Sequence, residues 1–277
     1  MKEQEITKVV REGYAKIAQK GSSYFAPASS CCESSDLGED ITRRIGYTDE
    51  ELKSVPEGAN LGLGCGNPTA LASLREGETV LDLGAGGGFD CFLAANKVGK
   101  KGKVIGVDMT PEMLDRAREN ARKGSFKNVD FRLGEIENLP VADDSVDVII
   151  SNCVINLSPD KTRVFQEAFR VLKPQGKLMV SDIVLMKELP NFIRDSLDAY
   201  VGCISGAMLK DHYVGAIRKA GFHEIKILDE KPFPAESSVN DPTLHRILES
   251  LNIPMEEVER NLRSVVSITV TAEKGKE

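Results

Sequence analysis

The sequence lacks the segments that would insert it into a membrane or carry it through one. No apolar run approaches the roughly 18 residues that a transmembrane helix requires. The first ten residues, MKEQEITKVV, contain no continuous apolar stretch of the kind found in secretory signals. We therefore expect a cytoplasmic protein with no membrane partner.

Positive charge is also scarce. The 277 residues carry 36 Lys and Arg against 43 Asp and Glu, which gives a net charge of −7. No basic stripe is present, and this argues against nucleic acid as a partner. The hydrophobic fraction of 41% is ordinary for a globular chain, and the length suits one core domain with extensions.

Cysteine is sparse and scattered, at positions 31, 32, 65, 91, 153 and 203. No CxxC pair occurs and the three histidines lie late in the chain, so neither a disulfide framework nor a structural zinc site is expected. In a reducing compartment these side chains would be mostly thiols.

Strands and helices alternate after residue 78. The pattern predicts strands at 79–84, 103–108, 129–134, 146–152 and 177–184, with helices at 89–96, 110–124 and 161–176. Such alternation is typical of a doubly wound, mostly parallel α/β sheet. Two later strands are predicted at 223–228 and 264–272.

The regions flanking this core are predicted to be extensions. Residues 1–74 form an N-terminal helical and loop extension, with a helix over 5–19, an aperiodic loop over 21–36 and a capping box at Thr48. The core then spans 75–187. Residues 188–277 form a smaller C-terminal α+β region that binds or covers the substrate.

A glycine-rich loop, Asp82-Leu83-Gly84-Ala85-Gly86, follows the first strand, where an open α/β sheet binds ligands. A turn that needs glycine only for its geometry is one reading. A dinucleotide site is another, but Phe89 fills the place of its third glycine and Asp82 would repel a pyrophosphate. The cationic cofactor S-adenosylmethionine suits the acidic residue better.

Asp108 ends the second strand, 22 residues beyond Gly86, where its carboxylate can accept hydrogen bonds from both hydroxyls of a ribose. Together with the glycine loop, it resembles the Rossmann-like class I S-adenosylmethionine-dependent methyltransferases. The resemblance implies further cofactor contacts, with Ile136 packed on the adenine and Asn152 beside the transferable methyl group. The full predicted set is Asp82, Gly84, Ala85, Gly86, Asp108, Met109, Glu135, Ile136 and Asn152.

Cys153 follows the fourth strand and would face the same crevice. A lone cysteine there is usually a small buried apolar residue. However, Cys65 stands between glycines and Cys203 among small residues, whereas Cys91 lies on an apolar helix and is predicted to be structural. Thiolates are the preferred ligands of soft centres, and trivalent arsenic is one.

The segments GCG around Cys65, SNCVINLSPDK (151–161) and GCISGA (202–207) resemble the arsenite methyltransferase family. The resemblance extends from about residue 22 to about residue 225. It implies that Cys153 and Cys203 bind the arsenic. It also implies that Cys65 is a third ligand or takes part in a disulfide relay with an N-terminal cysteine, for which we favour Cys32 over its neighbour Cys31. A thioredoxin-like or glutathione-like thiol system, or a thiol–disulfide reductase, would then reset the relay.

Three other functions are compatible with parts of the sequence. A small-molecule carbon or oxygen methyltransferase, acting for example on a quinone precursor, would leave the cysteines incidental. A sensor could bind arsenic or a metal without catalysis, although the intact glycine loop and Asp108 argue against it. A nicotinamide-dependent oxidoreductase would use the same loop for a dinucleotide.

Overall fold

A seven-stranded sheet organises the described part of the chain in the computed structural model. Its strands are β1 (Thr79–Leu83), β2 (Lys103–Asp108), β3 (Val129–Leu133), β4 (Val146–Asn152), β5 (Leu172–Leu185), β6 (His223–Pro232) and β7 (Val265–Glu273). They lie in the order β3-β2-β1-β4-β5-β7-β6. The first five run parallel and β7 is antiparallel to both of its neighbours, which confirms the doubly wound, mostly parallel sheet.

The structure describes residues 3–20, 39–40, 42–68, 73–194, 203–232, 261 and 263–276. The predicted loop over 21–36 lies outside these ranges, and so do Cys31 and Cys32.

The described helices connect or flank the strands. They are α1 (Glu3–Lys20), α2 (Asp49–Lys53), α3 (Phe89–Val98), α4 (Pro111–Lys123), α5 (Lys161–Val171), α6 (Asn191–Arg194) and α7 (Lys210–Lys219). The capping box at Thr48 is present, since its side chain accepts a hydrogen bond from the backbone of Glu51 and the Glu51 carboxylate accepts one from the backbone of Thr48. Among the helices of the described ranges, none is long and apolar enough to cross a membrane.

Three predicted boundaries differ most from the structure. The helix expected over 161–176 ends at Val171, and Leu172 is already extended with ψ 136°. The strand expected from 177 begins at Leu172, and the one expected to end at 228 continues to Pro232. Pro174 explains the early end of the helix, because a proline disfavours helical geometry in the residue before it. The following residues join β5, whose pairing with β4 shifts register between Val146 and Val148.

The apolar core covers both faces of the sheet. Alternate residues of β1 point in opposite directions, so Leu81 packs with Phe165 of α5 on one face and Val80 packs with Phe92 of α3 on the other. Strands buried on both faces are typical of parallel sheets covered by helices. Because β6 and β7 complete this sheet, the described strands of the C-terminal region are continuous with the core.

Substitutions at two glycines test the packing of this fold. A Cβ atom on Gly106 of β2 would lie 2.7 Å from Phe131 and 2.8 Å from the Cys91 thiol, whereas one on Gly215 of α7 would meet nothing within 4 Å. We expect Gly106→Ala to lower the free energy of unfolding by about 1–3 kcal/mol through overpacking. Gly215→Ala should raise it by about 0.5–1 kcal/mol through helix propensity. Urea denaturation of both variants measures the difference, and equal effects would contradict the packing described.

Candidate active site

A cleft opens at the carboxyl ends of β1, β2 and β4, beside the point where the strand order reverses. This is where open α/β sheets bind ligands. It is bounded by the glycine loop, the ends of β2 and β4, one face of α1 and the segment over 59–64. Its walls include Val10, Tyr14, Tyr47, Asn60, Asp82, Gly84, Ala85, Gly86, Asp90, Asp108, Met109, Ile136, Glu137, Asn152 and Cys153.

The glycine loop owes its composition to backbone geometry. Gly84 and Gly86 have φ values of 70° and 52°, in the left-handed region that favours glycine. A Cβ atom on Gly84 would also collide with the side chain of Val154, while one on Gly86 would have open space. The first glycine is therefore required by packing, and the second keeps the cleft floor free.

Asp108 holds this loop in place. Its carboxylate accepts hydrogen bonds from the backbone N–H of Gly86 at 2.9 Å and of Thr110 at 2.8 Å. Burial raises the pKa of Asp108, and these N–H donors oppose the rise. The carboxylate lines the cleft at the end of β2, as the sequence predicts for a group that meets a ribose.

Two further carboxylates face the cleft. Asp82 is buried, and its pKa is raised by burial and by the nearby charge of Asp90. Burial also raises the pKa of Asp90 to about 6, although it accepts hydrogen bonds from the Tyr47 hydroxyl at 2.6 Å and the Asn152 amide at 3.1 Å. Sequence reasoning missed Asp90 and Tyr47, because the first is an ordinary first-turn acid of α3 and the second lies far away in the chain.

The charge of the cleft favours a cationic ligand. Among the described residues that line it, none is Lys, Arg or His, whereas Asp82, Asp90, Asp108 and Glu137 are acidic. The same lining also offers one buried donor, since Asn60 Nδ2 has no hydrogen-bond partner among the described residues. These groups fit S-adenosylmethionine: the acidic side chains suit its sulfonium and ammonium, and the free donor suits its carboxylate. The same acidic groups disfavour a pyrophosphate.

Next to the cleft, the thiols of Cys65, Cys153 and Cys203 form a cluster in apolar surroundings, which we call the thiol cluster. The sulfur atoms of Cys65 and Cys153 lie within 4.8 Å of each other. Cys203 donates a hydrogen bond to the carbonyl of Cys153 at 3.0 Å, and its thiol interacts with that of Cys153. The structure thus brings together three cysteines that are far apart in the chain, and Cys153 alone of them lines the cleft.

The thiol cluster is buried and its cysteines are free. Burial raises the pKa of Cys65, and neighbouring thiols together with burial raise that of Cys153. Cys91 lies elsewhere, on the buried face of α3, where it donates to Asp82 at 3.2 Å; its structural role stays a prediction.

Asn152 connects the thiol cluster to the acidic side of the cleft. Its amide oxygen accepts from the backbone N–H of Cys65 at 2.9 Å, and its amide nitrogen donates to the Gly66 carbonyl at 2.8 Å and to Tyr47 at 2.9 Å. The predicted contact of Asn152 with the cofactor stays a prediction, because its polar atoms are already occupied within the protein.

Gly64 and Gly66, the glycines beside Cys65, allow the backbone to pass close to Asn152 and Ser181. They do not expose the thiol. A Cβ atom on Gly64 would lie 2.7 Å from Asn152 Nδ2, and one on Gly66 would lie 2.7 Å from Ser181 Oγ. Cys65 itself is only 7% exposed. The GCG motif therefore allows the backbone to press against the ends of β4 and β5.

Asp182 of β5 lies beneath the thiol cluster and is fully buried. One of its oxygens is within 4.8 Å of the sulfur atoms of Cys65 and Cys153. Burial raises its pKa to about 7, despite donors from the Ile183 backbone and the Tyr213 hydroxyl. Asp182 was not predicted as a site residue, because it is a single polar residue inside an apolar strand.

Two other side chains reach the thiol cluster from the helices around it. Tyr14 of α1 is partly buried and hydrogen-bonds to the Cys203 thiol. Lys161 of α5 donates to the Ser158 carbonyl at 2.9 Å; burial lowers its pKa, while Asp182 and Cys203 raise it. Tyr14 was predicted only as part of a helix, and Lys161 only as the last residue of the SNCVINLSPDK segment and the first of a helix.

The remaining predicted cofactor residues divide between two surfaces. Met109 and Ile136 line the cleft, the latter buried. Glu135 is exposed and borders a separate groove against α1, whereas Glu137 reaches the cleft in its place. The role proposed for Cys32 falls outside the described residues.

Comparisons with known proteins agree with this geometry. Residues 74–221 match the family model described as a methyltransferase domain. An arsenite methyltransferase of Halobacterium salinarum is 48% identical over 239 residues, which cover 81% of this chain and 59% of the relative. That of Aquipseudomonas alcaligenes is 37% identical, covering 83% of this chain and 65% of its own length. The chain thus spans less than two thirds of these curated relatives.

A solved structure agrees with the sequence relatives. The crystal structure of an arsenic(III) S-adenosylmethionine methyltransferase from Chlamydomonas reinhardtii is 33% identical and has a TM-score of 0.61. The match covers 85% of this chain and 73% of that one.

The backbone at the thiol cluster yields a stability prediction. Cys153 has a φ of 59°, a conformation that costs an ordinary residue roughly 1–2 kcal/mol. Cys153→Gly should therefore be more stable to urea than Cys153→Ala by about 1 kcal/mol, because both lose the thiol and only glycine relieves the backbone. At the helical Cys91 the order should reverse. If the glycine and alanine variants follow the same order of stability at Cys153 and at Cys91, the backbone at Cys153 is not strained.

Proposed function

The chain belongs to the arsenite methyltransferase family, and from this premise we propose that it transfers methyl groups from S-adenosylmethionine to trivalent arsenic held by its thiol cluster. One observation carries the proposal. The thiols of Cys65, Cys153 and Cys203 converge beside an acidic cleft, and Cys153 belongs to both. A soft substrate bound there lies next to the place where a cationic methyl donor fits.

Different residues of the cleft hold different parts of the cofactor. S-adenosylmethionine supplies, when bound, a methyl group on its sulfonium. Asp108 accepts from the ribose hydroxyls, while Asp82 and Asp90 stabilise the positive charge. The free amide nitrogen of Asn60 is a donor for the cofactor carboxylate, and Ile136 packs against the adenine.

The thiol cluster binds and orients the substrate. Each cysteine that attacks arsenite forms an S–As bond as an As–O bond breaks, and the thiol proton leaves with the hydroxyl group as water. Arsenic with two or three thiol ligands keeps a lone pair, which is the nucleophile for methyl transfer. The chain contributes chiefly orientation, which can supply a large share of the rate.

Methylation raises arsenic formally to the pentavalent state, so two electrons must be returned to it. Two cysteine thiols provide them when they join as a disulfide, and we assign this relay to Cys65 and Cys32. An external thiol of the thioredoxin or glutathione type, or a thiol–disulfide reductase, then restores the thiols. The free thiols of the described cysteines support a reducing compartment such as the cytoplasm.

The alternatives explain less of the site. A carbon or oxygen methyltransferase leaves three converging thiols without a role. A dinucleotide enzyme would place phosphates beside three carboxylates, and a sensor would have no use for the acidic cleft.

Replacing the arsenic ligands should separate substrate binding from cofactor binding. We expect Cys153→Ser and Cys203→Ser to lower the rate of methylarsenical formation at least about 100-fold, because the arsenic loses its orientation. Their affinity for S-adenosylmethionine should stay within about threefold of wild type, since the acidic groups are untouched. Transfer of labelled methyl to arsenite, with a reducing thiol present, and calorimetric titration of the cofactor measure the two effects.

Cys91→Ser is the matched control for that experiment, because it changes a buried thiol outside the thiol cluster and keeps a donor for Asp82. It should methylate arsenite at close to the wild-type rate. Wild-type rates in both Cys153→Ser and Cys203→Ser would refute the thiolate mechanism. Tight arsenite binding by the wild type without any methyl transfer would favour the sensor.

The pKa of Asp90 predicts how cofactor affinity depends on pH. Since burial raises this pKa to about 6, the carboxyl is mostly neutral at pH 5 and mostly charged at pH 7.5. A cationic cofactor favours the charged form, so affinity should rise by up to about tenfold across this range. Titration calorimetry at both pH values measures the rise.

Two variants assign the pH effect to Asp90. Asp90→Asn should bind the cofactor more weakly, and its affinity should depend less on pH. Tyr47→Phe removes a donor that lowers the pKa of Asp90, so its profile should shift to higher pH. If the pH dependence of cofactor affinity is unchanged in Asp90→Asn, another group of the cleft causes it.

A further inference from the structure

We propose that Cys65, Cys153 and Asp182 also form a binding site for thiophilic divalent cations such as Zn²⁺ and Cd²⁺, which compete with the trivalent substrate. One ligand atom from each residue lies within 4.8 Å of the other two, and all three residues are buried. The ligands come from three separate segments, which is why cysteine spacing in the sequence does not reveal the site. The bound ion is an inhibitor, not a structural metal.

The spacing suits tetrahedral coordination after a small adjustment. Zinc binds sulfur at about 2.3 Å and carboxylate oxygen at about 2.0–2.2 Å, which places the ligand atoms roughly 3.5–3.8 Å apart. The observed upper limit of 4.8 Å is within reach of this by rotation of the side chains. The thiol of Cys203, which contacts Cys153, or a water molecule completes the fourth position.

Asp182 is oriented as a ligand needs to be. One of its oxygens accepts from Asn156 Nδ2 at 2.8 Å and from the Ile183 N–H at 2.9 Å. The other accepts from the Tyr213 hydroxyl at 3.0 Å. Hydrogen bonds of this kind fix the direction of carboxylates that bind metals and strengthen the binding.

A divalent cation and trivalent arsenic need different ligand charges to be neutralised. Two thiolates neutralise a divalent cation, and Lys161 offsets the additional charge of Asp182. Trivalent arsenic is neutralised by three thiolates, or by two and a hydroxide, without any carboxylate. Loss of the Asp182 charge should therefore weaken divalent cations selectively.

The site is reached through the cleft, because Cys153 lines it. An ion bound to Cys65 and Cys153 occupies two of the thiols that the substrate requires, so it excludes arsenite. The proposal goes beyond methyl transfer, since cation binding needs neither the cofactor nor a reaction.

The test uses the full chain with Cys31→Ser and Cys32→Ser, because these adjacent thiols would bind soft cations on their own. Zn²⁺ is titrated in competition with a chromophoric chelator. We expect one equivalent to bind, and Asp182→Asn to raise its Kd at least about tenfold. Arsenite affinity, measured without zinc, should change by less than about twofold. Tyr213→Phe is the matched control, as it keeps the carboxylate and should lose less zinc affinity than Asp182→Asn.

A second measurement needs no variant of Asp182 and remains decisive if that variant fails to fold. Cd²⁺ bound by thiolates absorbs in the ultraviolet, and arsenite should abolish this absorbance at one equivalent. The proposal is overturned if the chelator removes all zinc, if Asp182→Asn binds zinc like its parent, or if arsenite leaves the cadmium absorbance unchanged. Methylation is measured on the chain that keeps Cys31 and Cys32, because the proposed relay uses Cys32. Methylation there with no cation binding by the serine variant would overturn this inference alone, and cation binding with no methylation would overturn the proposed function alone.

Discussion

The side-chain amide of Asn152 is the contact on which the site depends. It ties the backbone of Cys65 and Gly66 to the end of β4, and it donates to Tyr47 and Asp90 on the acidic side. A buried amide left without these partners would cost roughly 1–3 kcal/mol for each unpaired group. The position of the thiols and the shape of the cofactor cleft are therefore set by the same few hydrogen bonds.

The parallel sheet explains why chemistry accumulates at this edge. Asn152 pairs with Ser181 across β4 and β5, so Cys153, which follows the end of β4, lies beside Asp182 within β5. Cys65 then reaches the same point by hydrogen-bonding to the Ser181 carbonyl. Carboxyl ends of neighbouring parallel strands meet at one edge, which allows residues from distant segments to form one site.

Local patterns predicted the parts of the fold and site that depend on nearby residues. The strands, the glycine loop and Asp108 follow from apolar runs, from φ requirements and from a fixed spacing along one βαβ unit. The end of α5 was misplaced because Leu172 fits both a helix and a strand. Asp90, Tyr47 and Asp182 were not predicted, since their roles arise from side-chain partners 26 to 105 positions away in the chain. Cys203 was singled out by its small-residue surroundings and by the resemblance of GCISGA to a known motif.

The electrostatics of the cleft bear on where the rate acceleration comes from. In the proposed mechanism Asp82, Asp90 and Asp108 would stabilise the sulfonium before transfer, and this positive charge disappears from the donor as the methyl group leaves. An interaction that weakens in the transition state aids binding rather than the chemical step. Burial favours the neutral form of Asp82, which would limit this penalty, whereas Asp90, with a pKa of about 6, stays mostly charged at pH 7.5. In the proposed mechanism the acceleration would therefore come from the other side of the site, where the buried thiols would present an oriented arsenic lone pair to the methyl group. For this reason the geometry fixed by Asn152 matters more to the rate than the charge of the cleft does.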